Sequence, residues 1–172
     1  MPNVLHPAFQ RFIEGDFHYR FASGPDVVQT PEQALEHGLN CVALVHLLLK
    51  ALWGCHLPLD CQSIEMYYPN PHLQVVSSLQ EMQMGDVIFV GRAGMQAALD
   101  AFVPRYDPTS RLTNWREFPG LHLCVYTGIH DADGSPLFIH ANGQDNGVAI
   151  WSLARIQQHP RYAVLYAIKR AC

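Results

Sequence analysis

Gly38-Leu39-Asn40-Cys41-Val42-Ala43-Leu44-Val45-His46-Leu47-Leu48-Leu49-Lys50-Ala51-Leu52-Trp53-Gly54 carries both ends of a helix in its own letters. Asn40 is a side chain suited to accept from the free N–H groups of a first helical turn. Gly54 is the residue type that ends a helix in a left-handed turn. Between them, Cys41–Trp53 is apolar on nearly every face, which assigns it to the middle of a core. The rest of the chain must pack around it.

Upstream, Thr30-Pro31-Glu32-Gln33 combines a cap, a proline at the first helical position and a Gln closing a capping box. It starts a short helix that ends after His37 at Gly38. Downstream of residue 80 the pattern changes to short runs rich in β-branched and aromatic residues, predicting strands at 86–90, 122–128, 137–141, 148–151 and 162–169. Asp131-Ala132-Asp133-Gly134-Ser135-Pro136 is a turn cluster joining the second and third of these into a hairpin. Residues 91–120 read as an insertion, with a short helix at 95–102 and then a long loop carrying Tyr106 and Trp115. Helices first and an antiparallel sheet after predict one α+β domain over 1–172, with about five strands.

Composition narrows the function. A net charge of -4 and no Lys/Arg cluster give no attraction to nucleic acid or anionic membranes. Charged residues are only 15%, below the about 25% of average proteins, which points to a generous core or an apolar patch and leaves a homo-oligomer open. The longest apolar run, 41–53, contains His46 and Lys50 and is too short to cross a bilayer. The first residues, MPNVLHPAFQRFIEG, lack a basic segment, an apolar segment and a small-residue cleavage site. With five cysteines and no CxxC pair, the expectation is reduced thiols in a cytoplasm, signal-independent export being left open. None of the ten histidines falls in a ligand spacing such as HExxH, so no metal and no cofactor is expected. Asp131-x-Asp133-x-Ser135 mimics the start of a calcium loop, but Pro136 replaces the required Gly and Asn142 the bidentate Glu; it reads as a turn.

Cys41 would sit in the first turn of a buried helix, where unpaired N–H groups and the macrodipole favour negative charge. Such a setting lowers a thiol pKa from about 8.5 toward roughly 3.5–7.5, and the same N–H groups can hold an oxyanion. The competing reading is a small side chain that merely packs. What weighs against it is a set of segments in one order: Phe17-His18-Tyr19-Arg20-Phe21-Ala22, then the Cys41 segment, Met84-Gly85-Asp86-Val87-Ile88-Phe89, His122-Leu123-Cys124-Val125-Tyr126-Thr127-Gly128, and Phe138-Ile139-His140-Ala141. Together they resemble the NlpC-type peptidases, papain-like cysteine peptidases that mostly cut bacterial cell-wall peptides.

The resemblance implies a papain-like fold, with Cys41 as nucleophile, His122 as general base then acid, and His140 as the group orienting it. It also implies substrate contacts from the upstream aromatic, where Tyr19 and Phe21 compete, and from Asn40. The two histidines share a sheet face only if the hairpin pairs residues of like parity. Asp86 reads as turn chemistry. The chain departs from the family where Asn40-Cys41-Val42-Ala43 stands for Asp-Cys-Ser-Gly, losing the Asp and Ser that help bind the acceptor end of a cell-wall peptide. The expected reaction is amide cleavage through a thioester, on a small cell-wall-type peptide. The alternatives are an amidase, thioesterase or acyltransferase on the same fold, and a non-enzymatic binding module with a decayed cleft.

Overall fold

The computed structural model describes residues 4–102 and 120–172. Three helices come first: α1 (Pro7–Glu14), α2 (Pro31–His37) and α3 (Cys41–Trp53). Thr30 and Asn40 cap their helices as expected, but Gln33 Oε1 accepts from Gln29 N at 2.8 Å and does not close a box on Thr30. Thr30 accepts from Gln33 N at 3.2 Å, and Asn40 Oδ1 accepts from Ala43 N at 2.9 Å. Gly54 closes α3 at φ 64°, its N–H donating to the carbonyls of Leu49 and Lys50. From Val42 to Leu49 every residue of α3 is buried, His46 included.

Next come α4 (Ser63–Tyr67), β1 (Leu73–Val75), a 3-10 turn at Leu79–Glu81, β2 (Val87–Gly91) and α5 (Gln96–Phe102). The chain then runs through β3 (His122–His130), β4 (Pro136–Asn142), β5 (Gly147–Ser152), α6 (Leu153–Gln158) and β6 (Val164–Ala171). The strands form one six-stranded antiparallel sheet in the order β1-β6-β2-β3-β4-β5. The fold is α+β.

The sheet is covered on both faces. Leu123 and Val125 of β3 and Ile139 and Ala141 of β4 join α3 in the larger core. Cys124, Tyr126, Phe138 and Trp151 point the other way, onto Leu153 and Ile156 of α6. A strand buried on both faces needs no polar alternation, which is why β2 is apolar throughout. Beside it, Asp86 is fully buried and holds the sheet together. It takes two hydrogen bonds of 2.8 Å from Arg170 of β6 and one of 2.8 Å from Gln83 N. Its role is structural, as turn chemistry before a strand suggests.

Several details differ from expectation. The strands number six rather than about five, because three-residue β1 pairs with the end of β6. The last strand begins at Val164 rather than 162, and Tyr162 lies in the turn before it. Helix α1 was not foreseen; its cap is a His6 side chain accepting from Ala8 N, not one of the usual capping residues. Asp131 Oδ1 accepts from Asp133 N and Ser135 N, the turn expected at 131–136. Tyr106, Trp115 and most of the 91–120 insertion lie outside the described residues. No helix among the described residues is long and apolar enough to cross a membrane.

Candidate active site

Cys41 begins α3 and His122 begins β3, and both line one cavity of about 500 Å³ with Tyr19, Phe21, Arg92 and Tyr162. A smaller cavity of about 180 Å³ opens on the other side of Cys41, between Tyr19, Phe21, Asn40, Gln62 and Ser63. The described ends of the insertion, Arg92, Met95 and Gly120, and Leu121 just after it also border the larger cavity.

Backbone N–H groups of Leu123, the residue after His122, and of Cys41 and Val42 favour a thiolate at Cys41, as a helix start should. Burial outweighs them and pushes the Cys41 thiol above its ordinary range. The expectation of a lowered thiol pKa is thereby corrected: helix-start N–H groups are present, but so much protein surrounds the sulfur that desolvation decides the sign.

The hairpin register pairs Tyr126 with Phe138, so even-numbered residues of β3 and β4 share a face. That parity brings His122 Nε2 to 2.8 Å from His140 Nδ1. With Nε2 occupied, Nδ1 is the His122 nitrogen left for other partners. His140 is fully buried, edge-on to Trp151 with ring centroids 4.6 Å apart. Burial, the His140 charge and His159 all hold His122 well below the usual imidazole range. Burial, with the Arg155 cation and His159 adding to it, takes His140 down to about 3. Both rings are therefore neutral at pH 7.

Behind His140 stands a network that the amino-acid pattern did not reveal. Asn142 Nδ2 is 3.4 Å from His140 Nε2. Its amide is pinned by Asp145, which accepts from Nδ2 at 2.9 Å and donates its backbone N–H to Oδ1 at 2.9 Å. The indole of Trp151 also donates to Asp145, at 2.9 Å, and Arg155 lies over the Trp151 ring at 4.0 Å. A donor thus faces His140 Nε2. A His122 imidazolium would donate Nε2–H to His140 Nδ1, which puts the His140 proton on Nε2, against the Asn142 amide. The contact opposes protonation of His122, in the same direction as burial, and a His122 that accepts at Nδ1 requires the His140 proton on Nε2 despite it.

A stack completes the surround. Tyr162 lies flat on His122 at 4.3 Å and His159 flat on Tyr162 at 4.4 Å. Burial foremost, then the nearby thiols of Cys124 and Cys41, raises the Tyr162 hydroxyl to about 12. Of the two candidate aromatics upstream, Tyr19 is half-buried and its hydroxyl pKa is raised by burial and then by Cys41. Phe21 is 78% exposed at the cavity mouth. Asn40 has both polar atoms committed to protein, Oδ1 to Ala43 N and Nδ2 to the carbonyl of Phe21 at 3.0 Å. It fastens the aromatic segment to the start of α3.

Donor atoms of His122, Cys124 and His140 lie within 4.8 Å of one another. Tetrahedral zinc separates two ring nitrogens by about 3.3 Å, given Zn–N bonds near 2.0–2.1 Å. The histidine nitrogens here are 2.8 Å apart and bonded to each other, so the arrangement fits a hydrogen-bonded pair better than a cation. Family models, curated proteins and solved structures were all compared with this chain, and none of the three comparisons gives a match.

Proposed function

We propose that this chain is a papain-like cysteine hydrolase resembling the NlpC-type peptidases, with Cys41 as nucleophile and His122 as base. The observation that carries the reading is the shared cavity: a helix-start sulfur and an imidazole whose far nitrogen is already held by His140. In the reaction, Cys41 attacks an acyl carbonyl. The S–C bond forms as the thiol proton passes to His122 Nδ1, while Nε2–H is donated to His140 Nδ1. N–H groups at the start of α3 offer donors to the developing oxyanion. The C–N bond then breaks, and His122 returns its proton to the leaving amine. Water attacks the resulting thioester, giving a proton to His122. The S–C bond breaks, the acid leaves and Cys41 is reprotonated. His140 acts as the orienting group, and Tyr19 is the upstream aromatic whose hydroxyl reaches the sulfur's field.

By resemblance the substrate is a small cell-wall-type peptide. A second reading keeps nucleophile and base but changes the donor to an amide, thioester or other acyl group. It is favoured by Asn40-Cys41-Val42-Ala43, where the Asp and Ser that help the family bind the acceptor end of a cell-wall peptide are both missing. Libraries of γ-linked peptides and acyl thioesters separate the two, with turnover followed alongside the acyl adduct on the Cys41 peptide by mass spectrometry. Turnover of γ-linked peptides alone removes the second reading; turnover of thioesters alone selects it. Absence of turnover and adduct with every donor rejects both.

A further inference from the structure

The chain has more acids than bases, 15 against 11, yet the larger cavity reverses that balance. Arg92 and Arg161 border it, and no carboxylate does among the described residues. Neither guanidinium has an ion-pair partner among the described residues. Because His122 is held neutral, these two cations are the fixed charges among the described residues of that wall.

Both are set on fastened backbone. The turn carrying Arg92 is pinned by Tyr166, whose hydroxyl donates to the Arg92 carbonyl and accepts from Met95 N at 3.0 Å. Arg161 donates its N–H to His159 Nδ1 at 3.3 Å and directly precedes Tyr162, the ring stacked on His122. The charge of Arg161 reaches into the site, where it offsets a small part of the rise that burial imposes on the hydroxyls of Tyr19 and Tyr162. An exposed pair of cations beside a nucleophile, with no carboxylate among the described lining residues, concentrates anions there. Guanidinium groups match carboxylates by forked hydrogen bonding.

We infer that Arg92 and Arg161 select a substrate bearing a carboxylate close to the acyl group presented to Cys41. This rests on the reading of Cys41 as the nucleophile. It also moves recognition away from the acceptor end, where Asn40 and Val42 stand for the family's Asp and Ser.

The test compares iodoacetate with iodoacetamide, two alkylating agents of similar size that differ by one negative charge. Each forms an S–C bond with the thiolate and expels iodide. Rates are read by peptide mass spectrometry at Cys41 and at the exposed Cys172, which serves as the internal reference. The iodoacetate-to-iodoacetamide rate ratio at Cys41 is expected to exceed that at Cys172 by about five- to tenfold at low salt. It should collapse in about 1 M salt, where the screening length is near 3 Å. R92Q/R161Q brings the ratio to that of Cys172, and R92K/R161K retains most of it. A ratio at Cys41 no higher than at Cys172 overturns the proposal. Because it is a ratio, it is independent of the absolute thiol reactivity on which the hydrolase reading depends. A thiol-free readout stands beside it: calorimetric titration of C41S with glutarate and with glutaramide. Saturable binding of glutarate alone, lost in C41S/R92Q/R161Q, is expected; equal or absent binding of the two overturns the proposal.

Discussion

His122 and His140 stand eighteen residues apart on adjacent strands, and a 2.8 Å hydrogen bond joins Nε2 of the first to Nδ1 of the second. The bond fixes which nitrogen of His122 is available to the cavity. A side chain that keeps an acceptor where His140 Nδ1 now sits should therefore preserve the site. We expect His140→Asn to retain most of the activity. His140→Leu should lower kcat by about 10²-fold or more with little change in KM, since orientation and not binding is lost. Steady-state kinetics on the two variants, with circular dichroism to verify folding, makes the comparison. Equal activity in both would remove His140 from the mechanism.

Asn142 presents a donor to His140, which works against a charged His122. Asn142→Leu removes that donor, and with it the opposition to a proton on His140 Nε2 and hence to an imidazolium at His122. The sign follows directly. In the native chain the acid limb of the pH–rate profile lies below the ordinary imidazole pKa of about 6.5, because His122 is depressed. In N142L the limb should move toward higher pH. A limb that stays in place would separate Asn142 from the titration of His122.

Two buried histidines and the partly buried His122 tie folding to pH. Burial lowers His46, His122 and His140, the last to about 3. In the unfolded chain each returns to about 6.5 and binds a proton that the folded state refuses. Their contribution is fully present above about pH 6.5 and is lost as pH falls from there toward the folded values. Each refusing site costs about 1.4 kcal/mol per pH unit over that window. Urea unfolding between pH 7 and pH 4.5 should show this fall. His46→Gln, which can keep a bond to the carbonyl of Cys61, should make the slope shallower by about one site.

Asp86 is the other buried group whose loss should be felt. Its carboxylate is fully buried and receives a forked pair of bonds from Arg170. Asp86→Ala removes the acceptor of the Arg170 fork and of Gln83 N, leaving the partly exposed guanidinium its bond to the Glu81 carbonyl, at a cost of about 1–3 kcal/mol. Denaturant unfolding of D86A, with a loss below about 1 kcal/mol, would show the pair to be dispensable.

How much of this the letters disclosed depends on the range of the interaction. Asn40 and Gly54 act on their own turn, so the ends of α3 were legible. The hairpin at 131–136 was legible for the same reason, since Asp131 bonds only residues nearby. Helix α1 was missed because His6 caps it in place of a Ser, Thr, Asp or Asn. Strand β1 was missed because its three residues acquire strand form only by pairing with β6. Cys41, His122 and His140 could be singled out through a resemblance in segment order. Nothing local announced that Asp145 pins Asn142, that Tyr162 lies on His122, or that Arg92 and Arg161 share a wall. The sign of the Cys41 shift was missed because desolvation depends on the whole surround, whereas the helix-start effect is local.

The account is tested most directly by the rate of iodoacetamide labelling at Cys41, measured against pH in the native chain and in His122→Ala. A base acting on this thiol predicts that H122A slows Cys41 at neutral pH by about tenfold or more, leaving Cys172 unchanged, and that labelling recovers only at high pH, as for a buried thiol with no helper. Identical rates at Cys41 with and without the His122 ring would contradict it.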